Sequence, residues 1–448
     1  MAEGPDAAPP APVGFWTALR FWFKIGFISF GGPAGQIALM HKELVEGRRW
    51  ISEGRFLHAL NYCMVLPGPE AQQLATYMGW LLHRSAGGIV AGALFVLPSL
   101  LILILLSWVY IAFGDQPLVA GLFYGIKPAV TAIVAQAGHR IGSRALRHPV
   151  QWALALVALG AISLGQVPFP AIVAGAALIG YLGGRWAPEQ FRGEGGHQGA
   201  HHSYGPALID DHTPRPLHAA FRWGRLLRVG VVGACLWAGP MLLLVWRWGY
   251  EGTLAQMGRF FTKAALLTFG GAYAVLPYVY QGAVAHFGWL SPVQMIDGLA
   301  LGETTPGPLI MVVAFVGFVG GYGQALFGQE QLFLAGALAA GVATWFTFLP
   351  SFLFILAGGP LIESTHGDLK FSAPLGAITA AAVGVILNLA LFFAYHVLWP
   401  AGFAGTLDWK ALLLALGAAL ALFGFKRPVT QVLLACALAG LALRLLVP

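Results

Sequence analysis

Two stretches decide the reading of this chain: RFWFKIGFISFGGPAGQ at residues 20–36 and RFFTKAALLTFGGAYAV at residues 259–275. Arg, Lys, Phe and a Gly-Gly pair recur in one register, and adding 239 to a residue number carries the first stretch onto the second. Arg20 falls on Arg259, Lys24 on Lys263, Phe30 on Phe269, and Gly31-Gly32 on Gly270-Gly271. The register continues through Trp50 and Trp289, Ser52 and Ser291, and Pro67-Gly68-Pro69 with Pro306-Gly307-Pro308. After a longer connection in the second half, LPS at 97–99 is answered by LPS at 349–351. Repetition in constant register is the mark of a duplicated unit. The chain reads as two homologous halves.

Composition sets the solvent of those halves. The 448 residues are 58% hydrophobic and 10% charged, with a mean hydropathy of +0.73; a soluble domain carries about 25% charged residues. Runs such as 86–113 and 409–424 approach or exceed the length that crosses a hydrocarbon layer of about 30 Å. The fold class is therefore an all-α polytopic membrane protein. The net charge of +7 comes from cationic loops and does not point to nucleic acid. Cys63, Cys235 and Cys436 lie far apart in apolar segments and suggest neither a disulfide framework nor a redox pair. The opening MAEGPDAAPPAPVG lacks a basic n-region and reads as a disordered tail, not a signal peptide.

Cations decide how the halves face, because short cytoplasmic loops are enriched in Lys and Arg. In the first half they cluster at Arg48, Arg49 and Arg55, at Arg84, and at Arg140, Arg144 and Arg147. The equivalent second-half connections, 286–292, 322–330 and 398–408, contain none. The pattern then swaps: 113–117 and 165–168 have none, while their counterparts hold Lys370 and then Lys426-Arg427. The halves are expected to be inverted, with the N-terminus cytoplasmic and the C-terminus periplasmic. The units expected are a tail at 1–13, a first repeat at 14–184 and a flexible basic, His-rich cytoplasmic loop at 185–228. A linking transmembrane helix at 229–250 and a second, inverted repeat at 251–448 follow.

The same bookkeeping predicts broken segments. Residues 56–82 are apolar between two basic loops, so they enter and leave on one side, turning near Pro67-Gly68-Pro69. Residues 15–47 do the same around Gly31-Gly32-Pro33. About nine crossings and four half-membrane hairpins result. Irregular backbone at membrane depth is tolerated only where protein or a water-filled cavity surrounds it, and paired broken segments point to a transporter's binding site. Pro33 and Pro69 stand where helices begin, Gly31 and Gly32 let a ligand approach the backbone, and the opening amides of such half-helices suit an anion. Candidate anion-binding positions are therefore Gly31, Gly32, Pro33, Gly68 and Pro69, with Gly270, Gly271 and Gly307. Thr304 and Thr305 are candidate hydroxyl donors. Lys24 and Lys263 are expected to bring balanced positive charge to a central site for a divalent oxyanion, since ions at membrane depth normally face an interior pathway. Arg20 and Arg259 read equally as pathway residues or as side chains reaching for headgroups. Glu70 and Glu303, flanking the Pro-Gly-Pro turns, are candidates for proton coupling or for plain helix capping. Lys127, beside Pro128, ranks below the repeated lysines, and Asp297, matched by His58, has no symmetric role.

FGGP, the WISEGRF loop and LPGPEAQQLATYMGW, followed by FGGAYAVLPYV, GWLS and ETTPGP, resemble the chromate ion transporter family in its long two-domain form. The resemblance covers the chain outside the tail and the 185–228 loop. It implies a bacterial inner-membrane protein that exports chromate and confers resistance, with efflux driven by the proton motive force. By position it marks Gly31, Gly32, Pro33, Gln36, Trp50, Glu53, Pro67, Gly68, Pro69, Glu70, Gln72 and Gln73. In the second copy it marks Gly270, Gly271, Trp289, Asp297, Glu303, Thr304, Pro306, Gly307 and Pro308. Ala272, where the first half has Pro33, departs from the pattern.

His197, His201, His202 and His212, with Asp210 and Asp211, lie in a Gly/Pro-rich loop that reads as a linker in preference to a metal site. No nucleophile triad, phosphate-binding loop or dinucleotide fingerprint stands out, so neither catalysis nor a cofactor is expected. The leading expectation is a secondary chromate exporter; a passive channel or exchanger for sulfate or chromate is the alternative, and a chromate-reducing membrane enzyme a third. The sequence leaves the assembly open, a homodimer included.

Overall fold

The computed structural model describes residues 10–186, 204–211, 213, 217–269, 271–362 and 372–446. All regular structure among them is helical, apart from one isolated bridge between Ile51 and Ile209. Gly270, Lys370 and the four loop histidines lie outside the described residues.

The first half opens with two broken hairpins. Helix α1 (Phe15–Ile28) stops before Gly31 and Gly32, which take φ of 91° and 66°, a region that costs side-chain-bearing residues but not glycine. Helix α2 (Gly32–His41) starts there with Pro33 in its first turn and continues through a π turn, Lys42–Gly47. Helix α3 (Glu53–Val65) is capped by Ser52, whose Oγ accepts from the Arg55 amide at 3.2 Å. Helix α4 (Glu70–Phe113) is two arms, 70–82 and 85–113, separated by non-helical backbone at His83 and Arg84. The arms fold onto each other through glycine. A Cβ on Gly79 would lie 2.5 Å from that of Ala91, and one on Gly87 would lie 2.5 Å from that of His83. Small residues let helix backbones approach this closely.

Contacts gather the outer ends of these hairpins on one face. The Val13 carbonyl lies 2.8 Å from His83 Nε2, Phe21 packs edge-on against Trp50 at 5.0 Å, and the Trp80 carbonyl lies 3.0 Å from His218 Nε2. These contacts bring the two hairpins together at the Val13 and His83 ends.

Helices α5 (Pro117–Ala145), α6 (Pro149–Ser163) and α7 (Phe169–Trp186) complete the half. Helix α8 (Trp223–Trp248) links to the second half, which repeats the pattern. It comprises α9 (Thr253–Leu266), α10 (Ala272–Tyr280), α11 (Pro292–Thr304), α12 (Val312–Gly323), α13 (Leu332–Ile362), α14 (Ser372–Leu398), α15 (Trp409–Ala419) and α16 (Val429–Leu446). Ser291 caps α11 as Ser52 caps α3. Helices α12 and α13 close through Gly317 and Gly321 as the arms of α4 do, a Cβ on Gly321 lying 2.5 Å from that of Ala339.

The halves are not side-by-side units. Helices α6 and α7 pack on α14 of the other half, and α15 and α16 pack on α5. Glycine again sets the approach: a Cβ on Gly180 would meet Pro374 Cα at 2.7 Å, and one on Gly125 would meet Gly440 Cα at 2.8 Å. On the face away from His83, Trp108 meets Phe333 at 6.0 Å and the Tyr124 hydroxyl donates to Asp408 at 2.8 Å. These contacts group connection 113–117 with 322–330 and 398–408. Among the described residues, five helices are long and apolar enough to cross a membrane: α4, α5, α8, α13 and α14.

The described part of the 185–228 loop is bonded to the first repeat. Ser52 N donates to Ile209 O at 3.0 Å, Ile209 N to Trp50 O at 3.1 Å, and Leu208 N to Arg49 O at 2.9 Å. Arg55 donates to the carbonyls of Asp210 and Thr213, each at 2.9 Å, and Ser52 Oγ donates to Asp211 at 2.8 Å. Residues 204–211 and 213 are a strap bound at the start of α3, because backbone groups that the 48–52 turn leaves open must find partners.

Candidate anion site at the crossed breaks

The matched motifs meet across the molecule, not within each half. The Gly68 amide donates to the Thr268 carbonyl at 2.8 Å, and the Gly307 amide donates to the Ser29 carbonyl at 2.8 Å. Since 29 maps to 268 and 68 to 307, the two bonds are one contact made twice. The Pro-Gly-Pro turn of each half locks into the helix break of the other. The LPS serines follow the same rule: Ser99 lies against Gly307 and Ser351 against Gly68. Glycine is required at both turns, with φ of 126° at Gly68 and 102° at Gly307.

The interlock is lined by polar atoms left without partners. Ser29, Ser99 and Ser351 hydroxyls, and the amide oxygens of Gln36 and Gln73, are buried with no hydrogen-bond partner. Gln36 Nε2 donates to the carbonyls of Gly307 and, at 3.3 Å, Ser29; Gln73 Nε2 donates to Pro67 O at 2.8 Å. Buried polar groups are normally satisfied, and each that is not costs about 1–3 kcal/mol. These unpartnered groups gather where the two halves interlock.

The two breaks share a backbone but differ in chemistry. At the α2 start, Gly31 and Ala34 are exposed, and a Cβ on Gly32 would meet nothing within 4 Å. The opening amides of α2 therefore face accessible space, with no acid beside them. At the α10 start, Glu70 Oε1 lies 3.9 Å from the Cβ position of Gly271. The buried Tyr273 hydroxyl donates to Glu303, itself 8% exposed. The positions matched to Glu70, Glu303 and Tyr273 are Leu309, Met64 and Ala34, none of which carries a polar side chain. Both acids from the two halves thus converge on the helix start of α10.

Several sequence-predicted residues lie elsewhere. Lys24 is 55% exposed and pairs with Glu43 at 3.4 Å, and Lys263 is also exposed. The reason is helical geometry: α1 buries Ala18, Phe21, Trp22 and Ile25, and α9 buries Phe260, Phe261, Ala264 and Ala265. At 3.6 residues per turn the lysines fall on the opposite side. Arg20 is exposed with them. Arg259 holds the α8–α9 turn, donating to Tyr250 O at 2.7 Å and stacking over its ring at 3.6 Å. Thr304 and Thr305 hydroxyls donate to Leu301 O and Gly302 O, at 2.9 and 3.1 Å. Pro69 caps the 70–82 arm, and the amides of Gly68 and Gly307 are committed to the interlock.

Other cations lie near the acids. Arg144 is within electrostatic range of Glu70, and Arg140 of Glu303 and Tyr273. Both project from the last turns of α5, and the 140–147 cluster reads in sequence as loop charge. Their four-residue spacing, which puts them on one helix face, was the available signal. Lys127 and Asp297, ranked low or without a role, form a buried ion pair at 3.4 Å.

Comparison with known proteins follows the same division. The chromate transporter family profile matches residues 16–181 and 255–441. The chain belongs to the chromate transporter family. A chromate transport protein of Pseudomonas aeruginosa is 33% identical over 90% of each chain. One from Cupriavidus metallidurans is 30% identical over 84% of this chain and 82% of its own. An uncharacterised transporter of Bacillus subtilis is 27% identical over 35% of this chain but 90% of itself. No solved structure matches. The family and the apolar helices make this a multi-pass membrane transport protein.

Proposed function

We propose that the chain is a secondary active transporter that exports chromate from the bacterial cytoplasm across the inner membrane, driven by the proton motive force, and so confers resistance. The observation that carries the reading is the pair of crossed breaks, which puts an open, acid-free helix start and an acid-bearing one at the centre of one molecule. Chromate is a tetrahedral dianion. The α2 start supplies amide donors and the positive end of the helix dipole, with Gly31, Gly32 and Pro33 allowing close approach. Ser29 and Ser99 stand beside it as hydroxyl donors. Glu70 and Glu303 at the α10 start carry the coupled proton: a carboxylate there occupies the positive end of α10, the counterpart of the end that α2 offers to the anion. The relatives' names supply chromate; sulfate has the same charge and shape.

Alternating access follows if the two repeats, 14–184 and 251–448, face opposite ways and rock about the interlock. The cation distribution supports inversion, as does the grouping of 113–117 with 322–330 and 398–408. The N-terminus is then cytoplasmic and the C-terminus periplasmic.

Inside-out vesicles energised with a proton gradient test this. Labelled chromate is expected to accumulate uphill, to be competed by sulfate, and to leak out when the gradient is dissipated. Chromate flux indifferent to the gradient would refute active export and identify a passive oxyanion channel or exchanger instead.

A further inference from the structure

One buried charge pair has no part in the crossed breaks. Asp297, in the second turn of α11, is 1% exposed. Its Oδ2 accepts from the Tyr110 hydroxyl at 2.8 Å and pairs with Lys127 Nζ at 3.4 Å. Its Oδ1 is buried with no donor at all. The two partners come from α4 and α5 of the first repeat, and Asp297 from the second. Among the described residues, Tyr110 and Lys127 are the titratable and charged groups that face it. From α12, Phe315 closes the side against Tyr110 at 5.4 Å. The pair has no symmetric counterpart, since His58 matches Asp297 and no cation lies by Pro374.

The pair is unequally sealed. Asp297's side chain is 2% exposed and Lys127's is 26% exposed, so the ammonium stem reaches accessible space and the carboxylate does not. A buried ion pair stabilises only when its remaining hydrogen-bonding capacity is satisfied, and removing one partner leaves a costly lone charge. Here half of the carboxylate is unsatisfied, which is a poor arrangement for a structural pin. It suits a group that exchanges partners. Helix α11 also links the pair to the central site, because Glu303 stands in its last turn and donor Tyr273 lies at the α10 start.

We propose that Lys127 and Asp297 form a second station, apart from the crossed breaks, at which a proton and the transported oxyanion bind and leave together. The proposal rests on the transport reading above. The Lys127 ammonium passes a proton to the Asp297 carboxylate across 3.4 Å and takes one from a hydronium ion in the space that it reaches, which leaves as water. The carboxyl is then neutral, and the Lys127 ammonium, having lost its counter-charge, takes the oxyanion as its partner. Departure of the oxyanion reverses the step: the proton returns to water and the ion pair re-forms. With a dianion bound the station carries one net negative charge, and with the ion pair re-formed it carries none, so outward movement of the loaded station draws on the membrane potential.

The test uses full-length protein in proteoliposomes, with gradient-driven chromate accumulation and gradient-independent chromate exchange measured in parallel. Wild-type protein that does neither would defeat the transport reading itself. If wild type does both, Asp297→Asn is expected to keep exchange but lose accumulation and its pH dependence. Lys127→Met is expected to raise the KM for exchange about 10- to 100-fold, the worth of a hydrogen bond to a charged group, and Lys127→Arg to restore most of it. The double variant Lys127→Met with Asp297→Asn leaves no lone buried charge and is expected to fold, with raised KM and no coupling. Wild-type accumulation by Asp297→Asn, or a wild-type KM in the double variant, overturns the proposal.

Discussion

Replacing Gly307 by alanine measures how firmly the interlock holds the two repeats. Gly307 sits at φ 102° with its amide on the Ser29 carbonyl at 2.8 Å. A side-chain-bearing residue held in so sparsely populated a region costs about 1–3 kcal/mol. The new Cβ would also stand 2.8 Å from Ser99 Cβ and 3.3 Å from Ser99 Oγ. Carbon atoms prefer about 3.5–4.0 Å, so Ser99 must move, and overpacking of this kind costs about 1–3 kcal/mol more. The expected destabilisation is about 2–6 kcal/mol. Gly68→Ala should cost less, although its φ is 126°, because the atoms it would meet first are the flexible ends of Ser351 and Gln73. Ser99→Gly added to Gly307→Ala removes the clash but not the backbone strain, so the double-mutant cycle should show a favourable coupling of about 1–3 kcal/mol. Denaturant or thermal unfolding of the detergent-purified protein reads these values, and chromate transport should fall with them. A Gly307→Ala loss below about 0.5 kcal/mol, or no coupling to Ser99, would refute the interlock as a constraint.

Glu70→Gln, a neutral isostere beside Gly271, is expected to fold normally and to abolish gradient-driven chromate accumulation; undiminished accumulation would remove Glu70 from coupling. Lys24→Ala breaks an exposed pair worth about 0–1 kcal/mol and should leave the chromate KM unchanged, whereas a KM raised about tenfold (about 1.4 kcal/mol) would return that lysine to the pathway. Gly87→Val should prevent the arms of α4 from closing and reduce the yield of monodisperse protein sharply; a normal yield would show the arms are not in close contact. Arg55→Ala removes hydrogen bonds to the Asp210 and Thr213 carbonyls and should speed limited proteolysis within 204–213, an effect absent if the strap is held otherwise.

The broken hairpins were legible because glycine and proline act locally. Gly31-Gly32-Pro33 and Pro67-Gly68-Pro69 prescribe backbone that no neighbour needs to impose, and Ser52 and Ser291 cap their helices from one residue. The docked strap was not legible, since its hold on α3 depends on backbone bonds between segments about 150 residues apart, a separation no local pattern encodes. The site was half legible. Glycines, prolines and Glu70 with Glu303 could be named from their places beside the turns. The side of the helix on which the lysines lie was not legible, because a repeated cation at membrane depth says only that it avoids lipid, not which side of its helix is buried.

By itself, the sequence determined the duplication, the membrane class, the break positions and the family, all of which follow from register, hydropathy and backbone-restricting residues. Only the tertiary structure decided that each Pro-Gly-Pro turn locks into the opposite repeat's break, that Glu70 and Glu303 gather at one helix start, and that Lys127 finds Asp297. Those pairings join residues more than a hundred positions apart. They depend on how closely glycine-faced helices approach, and a distance of that kind exists only once the chain has packed.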